Sequence, residues 1–115
     1  MDFVKFSEAR ETVITEGSKA GTKVRLLAHN DEMTIVHNVR PAGAIFPPHV
    51  HPAVQIYMIV KGKVELTAGD EVKILTDGDT WYVGSNVPHG AKILEDTIEY
   101  EVFLPGRQDI VDKYL

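Results

Sequence analysis

Short runs of β-branched and aromatic residues, each closed by a turn signal, follow one another along most of this chain, and that rhythm limits the fold more than any other feature. Lys23–Ala28 (KVRLLA) reads as a strand and His29–Glu32 (HNDE) as a turn. Met33–Val39 reads as the next strand, ended by Arg40–Gly43 (RPAG). Val54–Val60 is a strand that Lys61–Lys63 (KGK) turns into Val64–Thr67, and Ala68–Asp70 (AGD) turns that into Glu71–Leu75. Thr76–Asp79 (TDGD) precedes Thr80–Val83, Gly84–Gly90 (GSNVPHG) is a loop, and Ala91–Leu94 and Thr97–Leu104 follow. Many short strands with Gly, Pro, Asn and Asp between them predict an all-β sandwich or barrel. Only Gln108–Leu115 carries a helical pattern, a short C-terminal turn, and nothing is long enough for a βαβ unit.

The 115 residues predict one domain over 1–115. A hydrophobic share of 43% is enough for a packed core. The net charge of −5 argues against a nucleic-acid partner, which calls for a basic face. The absence of cysteine excludes disulfides, iron–sulfur clusters and thiolate zinc sites, and fits a reducing cytoplasm. The N-terminus lacks an apolar stretch of signal-peptide length, and the longest apolar run, Ile56–Val60, is far too short to span a bilayer. The expectation is a cytoplasmic protein with no membrane partner.

The stretch GAIFPPHVHPAVQIYMIVKG, Gly43 to Gly62, carries the first chemical signal. Strand side chains alternate faces, so counting by twos from His49 places His51, Ala53, Gln55, Tyr57 and Ile59 on one side. The other set is largely apolar as well, which predicts burial on both sides. Polar groups on such a strand need a partner, and a metal ion would be one. His89, in NVPHG, is the best further donor. A pair of histidines two apart is equally compatible with hydrogen-bonded polar side chains, so both readings stay open on spacing alone. His29 and His37 have no spaced partner and read as structural or solvent-facing. Gly62 and Gly78 read as turn glycines, and Trp81 as core or wall.

The longer spacing resembles the cupin family. Gly43, His49-x-His51, Gln55 and Gly62 resemble its first motif (about 43–62). Gly78 and Gly84-x-Asn86-x-x-His89 resemble the second (about 78–93). The departures are Gln55 where most cupins have Glu, Gly84 for Pro, Asn86 for Gly and Ile93 for Asn. The resemblance implies a double-stranded β-helix, or jelly-roll, barrel. It also implies one divalent transition metal (zinc, nickel, manganese, iron or cobalt) held by His49, His51, Gln55 and His89.

A narrower likeness joins HVHPAVQ, NVPHGAKILEDT and EVFLPGRQDIV to the cupins that linearise unsaturated uronates in pectin and alginate catabolism. Those carry an Asp-x-Phe-x-Pro-x-Arg stretch at the active site. Here Phe103 and Arg107 match it, and Glu101 stands in place of the Asp. The likeness implies a metal-dependent, non-redox enzyme on a small anionic sugar acid. Glu101 would be its general acid/base, Arg107 would grip a carboxylate, and Phe103, Tyr57 and Trp81 would form the wall. A neutral Gln55 would leave the ion its full charge and favour an anionic ligand. Two alternatives stay open: an iron-dependent dioxygenase of the three-histidine type, and a non-catalytic module that binds metal or a small ligand. By the same resemblance the chain is expected to form a homodimer.

Overall fold

The computed structural model describes residues 4–114. After a 3-10 turn at Phe6–Glu8, the strands are β1 (Glu11–Val13), β2 (Lys23–His29), β3 (Thr34–Arg40), β4 (Ile45–His49), β5 (Val54–Ala68), β6 (Glu71–Thr76), β7 (Thr80–Val83) and β8 (His89–Leu104), followed by helix α1 (Gln108–Tyr114). The order is β1-β2-β3-β8-β5-β6, with β4 on β8 and β7 on β5, all antiparallel. The all-β class and the short C-terminal helix are as expected.

Two strands are much longer than the turn signals suggested. β5 runs straight through Lys61–Lys63, and β8 joins the two strands expected on either side of Glu95. Their length lets each serve both halves of the barrel. The first part of β5 pairs with β7 and its last part with β6, while β8 pairs with β4 early and β3 late. The halves close on a shared interior, because Phe46 of β4, Leu75 of β6, Val83 of β7 and Ile93 of β8 pack in one cluster. This is the jelly-roll barrel.

Lys61–Lys63 behaves as a β-bulge. Register shifts between Ile59 and Val64 move the inward set from the odd residues 55, 57 and 59 to the even residues 64 and 66. Gly62 is a close-crossing glycine here, not a turn glycine. Its φ is 131°, and a Cβ would lie 2.7 Å from Thr97 Cα. The turn signal was therefore real as a backbone irregularity and wrong as a strand end.

β4 was not expected because Pro47 and Pro48 cannot donate ladder hydrogen bonds. It pairs with β8 only around them, through Ile45, Phe46 and His49, with a register shift between Phe46 and His49. The three-residue β1 was likewise missed. Burial of β5 on both sides was also wrong: Gln55, Tyr57 and Ile59 are buried, whereas Ile56 and Met58 are only half covered and Val60 is exposed. Among the described residues no helix is long and apolar enough to cross a membrane.

Candidate metal centre

Each histidine of the motif arrives from a different piece of backbone. His49 ends β4, His51 follows in the β4–β5 connection, and His89 is the first residue of β8, paired with His49. Gln55 sits on the inward face of β5 opposite Phe103. The loop before β8 is tied to the first motif, because Asn86 N–H donates to His51 O at 2.9 Å. Asn86 takes a left-handed conformation there (φ 58°), which Asn tolerates better than most residues. His51, Gln55 and His89 are buried, whereas His49 is exposed.

The hydrogen bonds orient all three rings. His49 Nδ1 meets Pro47 O at 2.9 Å, His51 Nδ1 meets Ala53 O at 2.7 Å, and His89 Nδ1 meets Val87 O at 2.7 Å. A carbonyl oxygen only accepts, so each Nδ1 donates, and in the neutral ring each Nε2 is then left with a bare lone pair. His51 Nε2 and His89 Nε2 are 3.2 Å apart, and both lie 3.0 Å from Gln55 Oε1. The ligand atoms of His49, His51 and His89 all fall within 4.8 Å of one another. Neutral lone pairs that converge without a donor between them repel one another in a buried site. A cation removes the conflict, so the donor set fits a divalent metal. Burial of the His89 ring, and partial desolvation of the His49 ring on its inner side, lower both imidazoles below their usual range, despite the backbone hydrogen bonds that pull the other way. Both therefore stay neutral and able to ligate.

Beside this cluster lies a cavity of about 180 Å³ that His49, Gln55, Tyr57, Glu101, Phe103 and Arg107 help to line. That is small against the roughly 300–1,000 Å³ of drug-sized sites and suits a small metabolite. Glu101 faces it from the inward side of β8 and is held by Arg40, whose NH2 donates to Glu101 Oε1 at 2.6 Å. Tyr57 pairs with Glu101 across the sheet. Burial and the Glu101 charge push its phenol well above the usual value, against the pull of Arg40, so it remains a donor. Arg107 lies 4.9 Å from the Phe103 ring centroid at the mouth. Its fork is already engaged, because Nε and NH2 donate to the Asp109 carboxylate at 3.2 and 2.6 Å. A ligand carboxylate would have to share or displace Asp109. Trp81 is not part of the cavity lining; it packs against the main core cluster beside its sheet partner Tyr57.

The sequence reading missed two residues. Arg40 was assigned to a turn, yet it ends β3 fully inside, 3.8 Å from the Phe46 ring centroid. The signal was available, since counting by twos from Val36 puts Asn38 and Arg40 on the inward face. Lys19, on the far side of Phe46 with Nζ 5.5 Å from the centroid, also lines the cavity. Its position comes from a loop and had no sequence signal. His29 and His37 stay away from the centre, hydrogen-bonded to Thr34 and Gln108 and packed between Phe6 and Tyr100 respectively.

Known proteins share this fold. An RmlC-like cupin from Shewanella frigidimarina superposes with a TM-score of 0.86 at 27% identity, over 96% of each chain. KdgF from a Halomonas species superposes with a TM-score of 0.84 at 27% identity, over 95% of this chain and 99% of that one. An H2HPP isomerase of Bacillus subtilis is 41% identical over 46 residues, which is 39% of this chain and only 20% of that protein. The Cupin_2 family model, described as a cupin domain, matches residues 35–104, which include all three histidines, Gln55, Glu101 and Phe103, and the chain accordingly belongs to the cupin family.

Proposed function

We propose that this chain is a single-domain, metal-dependent enzyme without redox chemistry, opening the ring of a 4,5-unsaturated uronate to 5-keto-4-deoxyuronate. The observation that carries the reading is Glu101, a buried carboxylate clamped by Arg40 and facing the same cavity as His49 and Gln55. The sequence likeness to uronate-linearising cupins supports the substrate class, the fold likeness to KdgF accompanies it, and the partial likeness to an isomerase supports chemistry without net oxidation.

His49, His51, Gln55 and His89 would hold the metal. When bound, a divalent ion there supplies Lewis acidity and an anchor for an anion, undiminished by ligand charge because all four donors are neutral. Glu101 takes the hydroxyl proton at the anomeric carbon as the ring C–O bond breaks, and returns one to the product. Tyr57, protonated throughout, offers a hydrogen bond beside it. Phe103 covers one sugar face, and Arg107 binds the carboxylate by opening its pair with Asp109. Trp81 supports the wall from beside Tyr57. The outward faces of β5, β7 and β8 carry exposed Val60, Tyr82 and Leu104, which suits a homodimer.

Loss of the conjugated-alkene absorbance of an unsaturated uronate, with and without chelator, tests the reading. A chelator-sensitive loss above the uncatalysed rate is expected. Background rates on every unsaturated uronate would refute it, and oxygen uptake that tracks iron content would put an oxygenase in its place.

A further inference from the structure

Glu99 and Glu101 stand two residues apart on β8, both turned inward and 0% and 4% exposed. They share one cation. Arg40 Nε is 2.5 Å from Glu99 Oε1, and Arg40 NH2 is 2.6 Å from Glu101 Oε1. From β3, Asn38 adds only a neutral amide, 3.5 Å from Glu99. From β5 comes the Tyr57 phenol, which is no cation. The Lys19 ammonium and the His89 ring act on Glu101 from the cavity and metal sides. Glu99 Oε2 has no hydrogen-bond partner among the described residues.

Two carboxylates beside one guanidinium in a dry interior cannot both keep their charge cheaply. One proton stays with the pair at neutral pH. Glu101 borders the cavity and Glu99 does not, so the charge belongs on Glu101, where solvent and ligand can reach it. We propose that Glu99 is the protonated member of the pair and Arg40 its clamp, two positioning residues that leave Glu101 as the single carboxylate facing the cavity. Burial, opposed by Arg40 and joined by the charge of Glu101, raises the Glu99 carboxyl to about 8, in line with this arrangement. The consequence for turnover rests on the reading of Glu101 as acid/base. The residence of the proton does not.

Glu99→Gln keeps the shape of a protonated carboxyl and cannot ionise, so it separates the two states. If Glu99 is protonated, the variant melts at or above the wild-type temperature at neutral pH. Its advantage grows as pH rises from the ordinary carboxylate range toward about 8 and levels off above it. The sign follows from linkage: a carboxyl raised in the folded state loses its stabilising contribution as pH climbs to its folded value, and Gln has none to lose. An ionised Glu99 paired with Arg40 predicts the reverse, a lower melting temperature at every pH above the carboxylate range. In turnover, the variant should keep KM and neutral-pH kcat within about threefold and lose any alkaline limb near the Glu99 value. Infrared spectroscopy of the wild-type protein gives a readout that needs no variant. A protonated-carboxyl stretch present at neutral pH and lost with the Glu99 titration supports the proposal, and its absence overturns it. Should the melting and infrared results hold while no uronate is turned over, the proton pair stands and the proposed substrate falls. Should Glu99→Gln destabilise at neutral pH and leave the pH–rate profile unchanged, the pair falls whatever the substrate.

Discussion

Replacing Arg40 by Met removes the one cation that two buried carboxylates share, and the size of the loss can be worked from the structure. At an effective dielectric of about 20, an ion pair at the 2.6 Å seen between Arg40 and Glu101 has a gross attraction of about 6 kcal/mol. Desolvation of the ions returns much of that, and deleting one partner of a buried pair costs about 3–5 kcal/mol net. The guanidinium also packs on Phe46 at 3.8 Å, worth about 1–2 kcal/mol when desolvated. Met keeps much of the Arg stem's volume, so little is added for a cavity. The expected loss is about 4–7 kcal/mol, most of the stability of a small domain, with a fall of roughly 15–30 °C in Tm. The deficit must depend on pH. Without Arg40 the folded-state value of Glu99 rises further, so the penalty is small where that carboxyl is protonated and grows as pH climbs. Urea unfolding near pH 5 and near pH 8 measures both features. A loss below about 1 kcal/mol, or an equal loss at the two pH values, would refute the reasoning that Arg40 is an electrostatic clamp.

Gln55→Glu adds a negative charge to an otherwise neutral donor set, so the metal should leave to a chelator roughly 10–100-fold more slowly while turnover falls; faster metal loss would contradict the role given to the amide. Lowering pH should strip the metal only below the ordinary imidazole range, because desolvation depresses His49 and His89. Depressed folded values also mean that their contribution to stability is present above the ordinary imidazole value and is lost as pH falls through the folded ones. Metal content after equilibration at stepped pH checks this, and release beginning above neutrality would oppose it. Gly62→Ala should cost about 2 kcal/mol or more, since its φ of 131° and the nearby Thr97 backbone leave no room for a methyl group; urea unfolding indistinguishable from wild type would show that the bulge can relax.

Much of the site was legible because strand geometry is local. Counting by twos from His49 put His51, Ala53, Gln55, Tyr57 and Ile59 on one face, and all five are buried, while His49 itself is exposed. The same count put Glu99, Glu101 and Phe103 together on β8, and all three point inward. The count fails where the backbone slips, as at Gly62, because a bulge changes which parity faces in without changing the composition of the run. At Arg40 the count holds but was overridden, because the neighbours Pro41 and Gly43 signal a turn. The turn is there, but the strand first carries Arg40 into the interior.

Sequence alone was enough for the all-β class and for the shared face of Glu99, Glu101 and Phe103, and the likeness to cupins pointed to three histidines and a glutamine as donors. These depend on residue chemistry and on a two-residue period that the chain cannot escape. Strand pairing across the barrel brings His89 to His51 over 38 residues and sets one arginine between two buried glutamates. Those outcomes depend on which strands pair and in which register. Register is set by the sum of many packing contacts over the whole barrel, so no short stretch contains it.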